Sequence, residues 1–325
     1  MSGPLPERSL AGARVLVTGA SGFLGGALCR ALVRAEAEVH ALSRSPQSGG
    51  QAENERPRIT WHRGDLTDPP SLARAVADAR PTVVFHLAAY GTTYGERDRE
   101  RAVAVNVQGS LALWHALENH EARLVVAGSC GEYGDVRGLV REDHACAPTW
   151  FYPATKNAMV TLLTTLGRET GREVVVLRPF GPYGPGDVSD RVIPAVVARL
   201  LAGDPVDTTA GKQRRDFLHV DDHVRGFLLA ATVALPSTGR IYNLGSGQPR
   251  TLRQVLELAA QAVGDGALER VRFGALPYRA TEVWEMCADI SAARTELGFE
   301  PRIDLAAGLA DTVAWHRRRI EGLRP

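Results

Sequence analysis

The segment FYPATKN, residues 151–157, holds Tyr152 and Lys156 four positions apart. On a helix that spacing puts both side chains on one face. A free phenol ionises near pH 10 and is a poor acid–base group at neutrality, but an adjacent ammonium favours its ionised form. The pair therefore has the chemistry of a proton shuttle. The lysine stands out from its background: of 38 basic residues only Lys156 and Lys212 are not arginine. Upstream, the apolar run RLVVAGS ends in Ser129, whose hydroxyl suits it to hydrogen-bond a reacting oxygen and polarise it. Ser129, Tyr152 and Lys156 form the expected catalytic set, with Ser129 and Tyr152 also meeting the substrate.

These side chains need a frame. The run from Ala13 to Arg44 reads as an apolar strand, a glycine turn, a helix with Leu and Val at helical spacing, and a second strand. That is a βαβ unit and implies a parallel sheet. The rhythm continues through ITWHRGD, a helix over Ser71 to Ala79, the strand TVVFHLAA, a helix from about Arg101 to Asn119, RLVVAGS, a helix starting near Tyr152, and EVVVLRPF. Strands so continuously apolar are expected where helices cover both faces, which predicts an α/β, doubly wound parallel sheet of the Rossmann type.

After Phe180 the rhythm changes. GPYGPGD, a helix over Ile193 to Leu201, GKQRRDFLHVDD and YNLGSGQPR mix turns with short elements. The expected division is a dinucleotide-binding domain over 1–178, with strands contributed from about 217–245, and a smaller, mainly substrate-binding domain over 179–325. There is no internal repeat, and the polar stretch from Ser45 to Pro57 reads as a flexible loop.

In TGASGFLG, Gly19, Gly22 and Gly25 lie between strand and helix. Absent side chains there let backbone N–H groups and the helix dipole meet a pyrophosphate. Ser21, Phe23 and Leu24 share this cofactor-facing turn. Ser43 falls 18 residues after Gly25, close to where an acidic residue grips the adenosine ribose in NAD-type folds. Ser43 and Arg44 do the reverse: a guanidinium pairs with a phosphate, and the hydroxyl donates a further hydrogen bond. Against a solvated loop arginine, this turn is read as holding the 2′-phosphate of NADP(H).

Net charge is +1 with both signs spread along the chain, which argues against a nucleic-acid or anionic-membrane partner and for a small molecule. No apolar run approaches the roughly 20 residues a membrane span needs, and the first dozen residues lack a signal-peptide centre, so a cytoplasmic protein is expected. Cys29, Cys130, Cys146 and Cys287 show neither metal-ligand spacing nor a disulfide framework and read as reduced, buried thiols. No metal is expected.

Nearly the whole chain resembles the extended short-chain dehydrogenase/reductase family of nucleotide-sugar epimerases, dehydratases and ketoreductases. The marks are TGASGFLG, GDLTD, HLAA, a Ser four residues before Tyr-Gly in SCGEYG, YPATK, RPFGPYGP, QRRDFLHVDD and YNLGSG. The resemblance implies that Lys156 and Tyr152 also reach the nicotinamide ribose. It implies adenine contacts at Asp65 and Leu66, and a cofactor wall at Ala88 and Ala89. Asp65 equally suits capping of the next helix. Arg215 and Arg279 resemble the pair that clamps a sugar-nucleotide diphosphate, with surface arginines as the alternative, while Lys212 has no assigned role. The family further implies a homodimer through helices near 101–119 and 152–168.

Two departures narrow the reaction. Family dehydratases carry an acidic pair directly after the Ser or Thr, and here Cys130 and Gly131 stand there. Glu132, one position later, is expected near the substrate, and the pattern Ser-x-x-Glu-Tyr-Gly looks like that of 4-keto-6-deoxy sugar nucleotide reductases. Gly181 occupies a position often Asn in the family, where it touches the sugar nucleotide. The expected activity is NADPH-dependent reduction of a nucleoside-diphosphate 4-keto-6-deoxyhexose. A nucleotide-sugar 4-epimerase with retained cofactor is the alternative, and a non-catalytic NADP sensor a remote third.

Overall fold

A computed structural model describes residues 9–45, 58–92, 96–279 and 282–322. The N-terminal half runs β1 (Arg14–Thr18), α1 (Phe23–Arg34), β2 (Glu38–Ser43), β3 (Ile59–Arg63), α2 (Pro69–Ala79) and β4 (Val83–His86). Then follow α3 (Arg99–Val103), a π-helical turn over Ala104–Gln108, α4 (Gly109–Ala116), β5 (Arg123–Ala127), a 3-10 turn over Cys130–Tyr133 and β6 (Leu139–Val140). The second half holds α5 (Phe151–Thr170), β7 (Val174–Pro179), β8 (Pro182–Tyr183), α6 (Val192–Leu201), β9 (Val206–Thr208), β10 (Arg214–Arg215) and β11 (Leu218–His219). It closes with α7 (Val220–Thr232), β12 (Arg240–Leu244), β13 (Arg250–Thr251), α8 (Leu252–Val263), β14 (Val271–Phe273), β15 (Glu285–Ala288), α9 (Ser291–Leu297) and α10 (Leu305–Ile320).

Seven strands form one parallel sheet in the order β12-β7-β5-β4-β1-β2-β3. Each face has its own apolar cover: Leu28 and Leu32 of α1 with Phe227 and Ala230 of α7 on one, Leu72, Leu113, Met159 and Leu163 of α2, α4 and α5 on the other. This two-sided burial is why β1, β4, β5 and β7 read as unbroken apolar runs. Strand order reverses between β1 and β4, so the crevice for a ligand opens at the carboxyl ends of those two strands. Downstream of the main sheet, Ile193, Val197, Leu256 and Leu309 make a separate core from α6, α8 and α10.

The helix expected from Arg101 to Asn119 is not continuous. Its π turn places Asn106, fully buried, so that the amide donates to the Tyr90 carbonyl and Thr155 Oγ1, both at 2.9 Å, while Oδ1 accepts the Tyr90 N–H at 2.8 Å. One extra residue in the turn aims this side chain at α5. The polar loop expected over Ser45 to Pro57 falls, beyond Ser45, outside the described residues.

Candidate active site

The glycine turn is shaped by close approach. Gly19 has φ +73°, and a Cβ there would meet the Ala88 backbone nitrogen at 2.7 Å; one on Gly25 would meet the Gly19 carbonyl oxygen at 2.1 Å. Backbone can pack this tightly only without side chains. Gly22 precedes α1 as its N-cap and offers no side-chain cap, which leaves the helix's first N–H groups without a side-chain acceptor beside exposed Ser21 and half-buried Phe23 and Leu24. This is the geometry an anionic pyrophosphate fits.

At the far end of this cradle, Ser43 is buried and accepts the Ser45 N–H on its hydroxyl at 3.3 Å, while Arg44 is exposed. Ser43 pairs in register with exposed Arg63 of β3, so two exposed arginines, Arg44 and Arg63, stand at this strand end. Asp65 accepts the Thr67 N–H and hydroxyl at 2.9 and 2.8 Å, closing its own turn. The cap on α2 is Asp68 and not Asp65. Leu66 is buried against the α2–α4 core, and Ala88 and Ala89 stand half-buried at the end of β4.

Tyr152 and Lys156 share the first turns of α5, and the turn after Ser129 packs onto them: a Cβ on Gly131 would lie 2.7 Å from Pro153 Cγ. Ser129 Oγ accepts the Gly131 N–H at 3.2 Å. That engages a lone pair and leaves the hydroxyl hydrogen free to be donated. Burial holds the Tyr152 phenol well above the usual range, and the Glu132 carboxylate pushes it the same way. The cation that opposes this rise is Arg191; the expected Lys156 effect does not prevail over burial. Lys156 is 1% exposed, its ammonium brought down to about 8 by burial, with Met159 Sδ 3.6 Å away. A buried ammonium whose neighbour is a thioether fits a ligand that brings hydroxyl oxygens.

Glu132 corrects the sequence reading. It is fully buried, Oε1 accepting the Ser129 N–H at 2.6 Å and Oε2 accepting Arg178 Nε at 2.9 Å, so it faces the protein and not a substrate. Cys130 lies against Gly181, and a Cβ on Gly181 would meet the Asp216 carbonyl oxygen at 2.2 Å. Arg215 pairs with Glu282 at 2.7 Å, both side chains mostly buried. Arg279 is exposed, its carbonyl accepting the Glu282 N–H at 3.1 Å; residues 280 and 281 lie outside the described residues. Lys212 is exposed, and its backbone N–H donates to the Tyr278 hydroxyl at 3.0 Å.

Arg191 escaped the sequence reading because it is one arginine among 36. Its guanidinium donates to Asp187, Ser189 and the Pro182 carbonyl and lies 5.1 Å from the Phe23 ring centre, bridging the second half of the chain to the glycine turn. His86 was also missed: Nδ1 meets Thr18 Oγ1 and Nε2 meets Ser110 Oγ, each at 2.8 Å, and burial holds its pKa down to about 3. Neutral His86 of β4 thus ties β1 to α4, the helix that follows the π turn.

Residues 15–245 match the NAD dependent epimerase/dehydratase family. The chain is 31% identical over 322 residues to a dTDP-glucose 4,6-dehydratase of Actinoplanes sp., covering 94% of this chain and 98% of that protein. Among solved structures, MoeE5 in complex with UDP-glucose and NAD is 32% identical, with a TM-score of 0.82, covering 94% and 99% of the two chains. A UDP-glucuronic acid 4-epimerase from Bacillus cereus, in complex with UDP-glucuronic acid and NAD, is 26% identical with a TM-score of 0.85, covering 94% and 99%.

Proposed function

Because the chain belongs to the NAD dependent epimerase/dehydratase family, we propose that it is a nucleotide-sugar enzyme that reduces a nucleoside-diphosphate 4-keto-6-deoxyhexose with NADPH. The observation that carries this reading is the site beside Ser129. The two positions that follow it are a thiol and a glycine, and Gly131 is sealed against Pro153 and Trp150, where a Cβ would stand 2.7 Å and 3.1 Å from its neighbours. An acid that protonates a leaving hydroxyl has no room at Gly131, and the Cys130 thiol is held up to about 12 by burial. Reduction needs neither group.

The nicotinamide dinucleotide supplies the hydride when bound. The Ser129 hydroxyl donates to the sugar's carbonyl oxygen, and the Tyr152 phenol gives that oxygen its proton. Lys156 holds ribose hydroxyls and, as a cation, eases loss of the phenolic proton. Arg215 and Arg279 take the substrate's diphosphate, which requires Arg215 to exchange Glu282 for phosphate oxygens. Arg44 takes the cofactor's 2′-phosphate. A homodimer is proposed through α3–α4 and α5, where Leu162 is 36% exposed; sedimentation of the purified protein reads this directly.

NADPH oxidation measured across a panel of 4-keto sugar nucleotides tests the reading. A 4-epimerase is the second reading, favoured by likeness to the Bacillus cereus 4-epimerase with its bound NAD. Interconversion of two hydroxyl sugars without net NADPH loss selects it. Full activity in a Tyr152→Phe variant rejects both.

A further inference from the structure

We propose that Glu132 and Arg178 form a positioning clamp that fixes the catalytic serine: the buried carboxylate holds the backbone N–H of Ser129, and the guanidinium holds the carboxylate. The inference rests on the reading that Ser129 meets the substrate, and it assigns a role to two side chains that the substrate does not reach.

Three observations converge. Each Glu132 oxygen has one defined donor, the Ser129 N–H at 2.6 Å and Arg178 Nε at 2.9 Å, inside a side chain with no exposed surface. Arg178, on β7, is itself fixed, with Nη2 3.1 Å from Cys146 Sγ and the guanidinium 4.4 Å from the Tyr133 ring centre. The Tyr133 hydroxyl is in turn anchored on Asn243 Oδ1 at 2.7 Å. Finally, a Cβ on Gly128 would come within 2.8 Å of Glu132 Oε1, so the strand end itself is kept bare for the carboxylate.

Stability alone does not explain the pair. Well-packed apolar residues in place of a buried ion pair are commonly neutral or stabilising, because desolvation offsets most of the attraction. What an apolar pair cannot do is hold a backbone N–H. With its N–H held by Oε1 and its Oγ accepting from Gly131, Ser129 is held at both its backbone and its side chain, which places the oxygen while leaving its hydrogen free to be donated. The same carboxylate also raises both Tyr152 and Lys156, so its charge sets the pH range of the shuttle as well as the serine's place.

Two variants separate geometry from charge. Glu132→Asp keeps the charge but is one methylene too short to span both donors. It is expected to lower kcat by tenfold or more, with KM changing by less than about twofold, since orientation is realised in the transition state. Glu132→Gln removes the charge, and its pH–rate limb for Tyr152 ionisation is expected to move to lower pH. Hydrogen exchange of the peptide covering 128–133 reads the clamp without any substrate, and faster exchange is expected in both variants. Unchanged kcat, an unmoved limb and unchanged exchange in folded variants overturn the clamp. If Glu132→Gln does not fold, Arg178→Lys, which keeps a cation but drops the Nε donor, carries the same readouts. Should the wild type turn over no keto or hydroxyl sugar nucleotide, the functional reading fails, and the exchange measurement alone decides the clamp.

Discussion

The ammonium of Lys156 points at the sulfur of Met159, 3.6 Å away and within one turn of the same helix, in a spot almost closed to solvent. A thioether is a weak acceptor, and burial brings the lysine from 10.5 to about 8. Between those values the unfolded chain binds the proton that the folded protein has released. Stability therefore rises with pH from about 8 toward 10.5, and the full penalty is present below 8. Lys156→Met is expected to stabilise the cofactor-free protein by about 1–3 kcal/mol at pH 7 and to lose that advantage by pH 10, read as the difference in Tm between variant and wild type. A destabilised variant at pH 7 would contradict the burial argument.

Arg44 is expected to decide the coenzyme. Replacing it with Asp removes one charge-assisted contact and sets a carboxylate against the phosphate, so the Kd for NADP+ should rise at least about tenfold while that for NAD+ falls or holds. Fluorescence titration with both coenzymes checks this. Tighter binding of NAD+ by the wild type contradicts the NADPH assignment.

Arg191 is the cation that partly offsets the rise of Tyr152 caused by burial and the Glu132 charge. Arg191→Met removes that cation. The phenol's ionisation then moves to higher pH, and the corresponding limb of kcat/KM is expected to shift to the alkaline side, opposite in sign to the shift for Glu132→Gln. A pH–rate profile of the variant gives the answer; a limb that stays in place separates Arg191 from the shuttle.

Gly131 has no space for a side chain, with Pro153 Cγ 2.7 Å and Trp150 Cζ2 3.1 Å from an added Cβ. Gly131→Ala is expected to cost about 1–3 kcal/mol in denaturant unfolding, the usual penalty for overpacking. Gly131→Glu is expected not to yield a 4,6-dehydratase, as judged by product analysis with a hydroxyl sugar nucleotide. Dehydration by that variant would show that the neighbouring helix gives way.

The two-sided burial of β1, β4, β5 and β7, the glycine turn between β1 and α1, and the helical pairing of Tyr152 with Lys156 were all legible in the chain, because each follows from spacing over a few residues. The π turn was not. Its extra residue serves Tyr90 and Thr155, which are distant in sequence, and nothing in the local pattern of 101–119 announces them.

Sequence by itself determined the family frame, the sheet's parallel order of strand and helix, and which residues carry proton chemistry, since backbone periodicity and residue type are local. Only the tertiary structure decided what surrounds them. Glu132 turned away from the pocket because Arg178, 46 positions on, supplies the countercharge that a buried carboxylate requires. Arg191 came to face Phe23, and Lys156 lost its water, for the same reason: burial and charge pairing are set by which distant segments the packed core brings into contact.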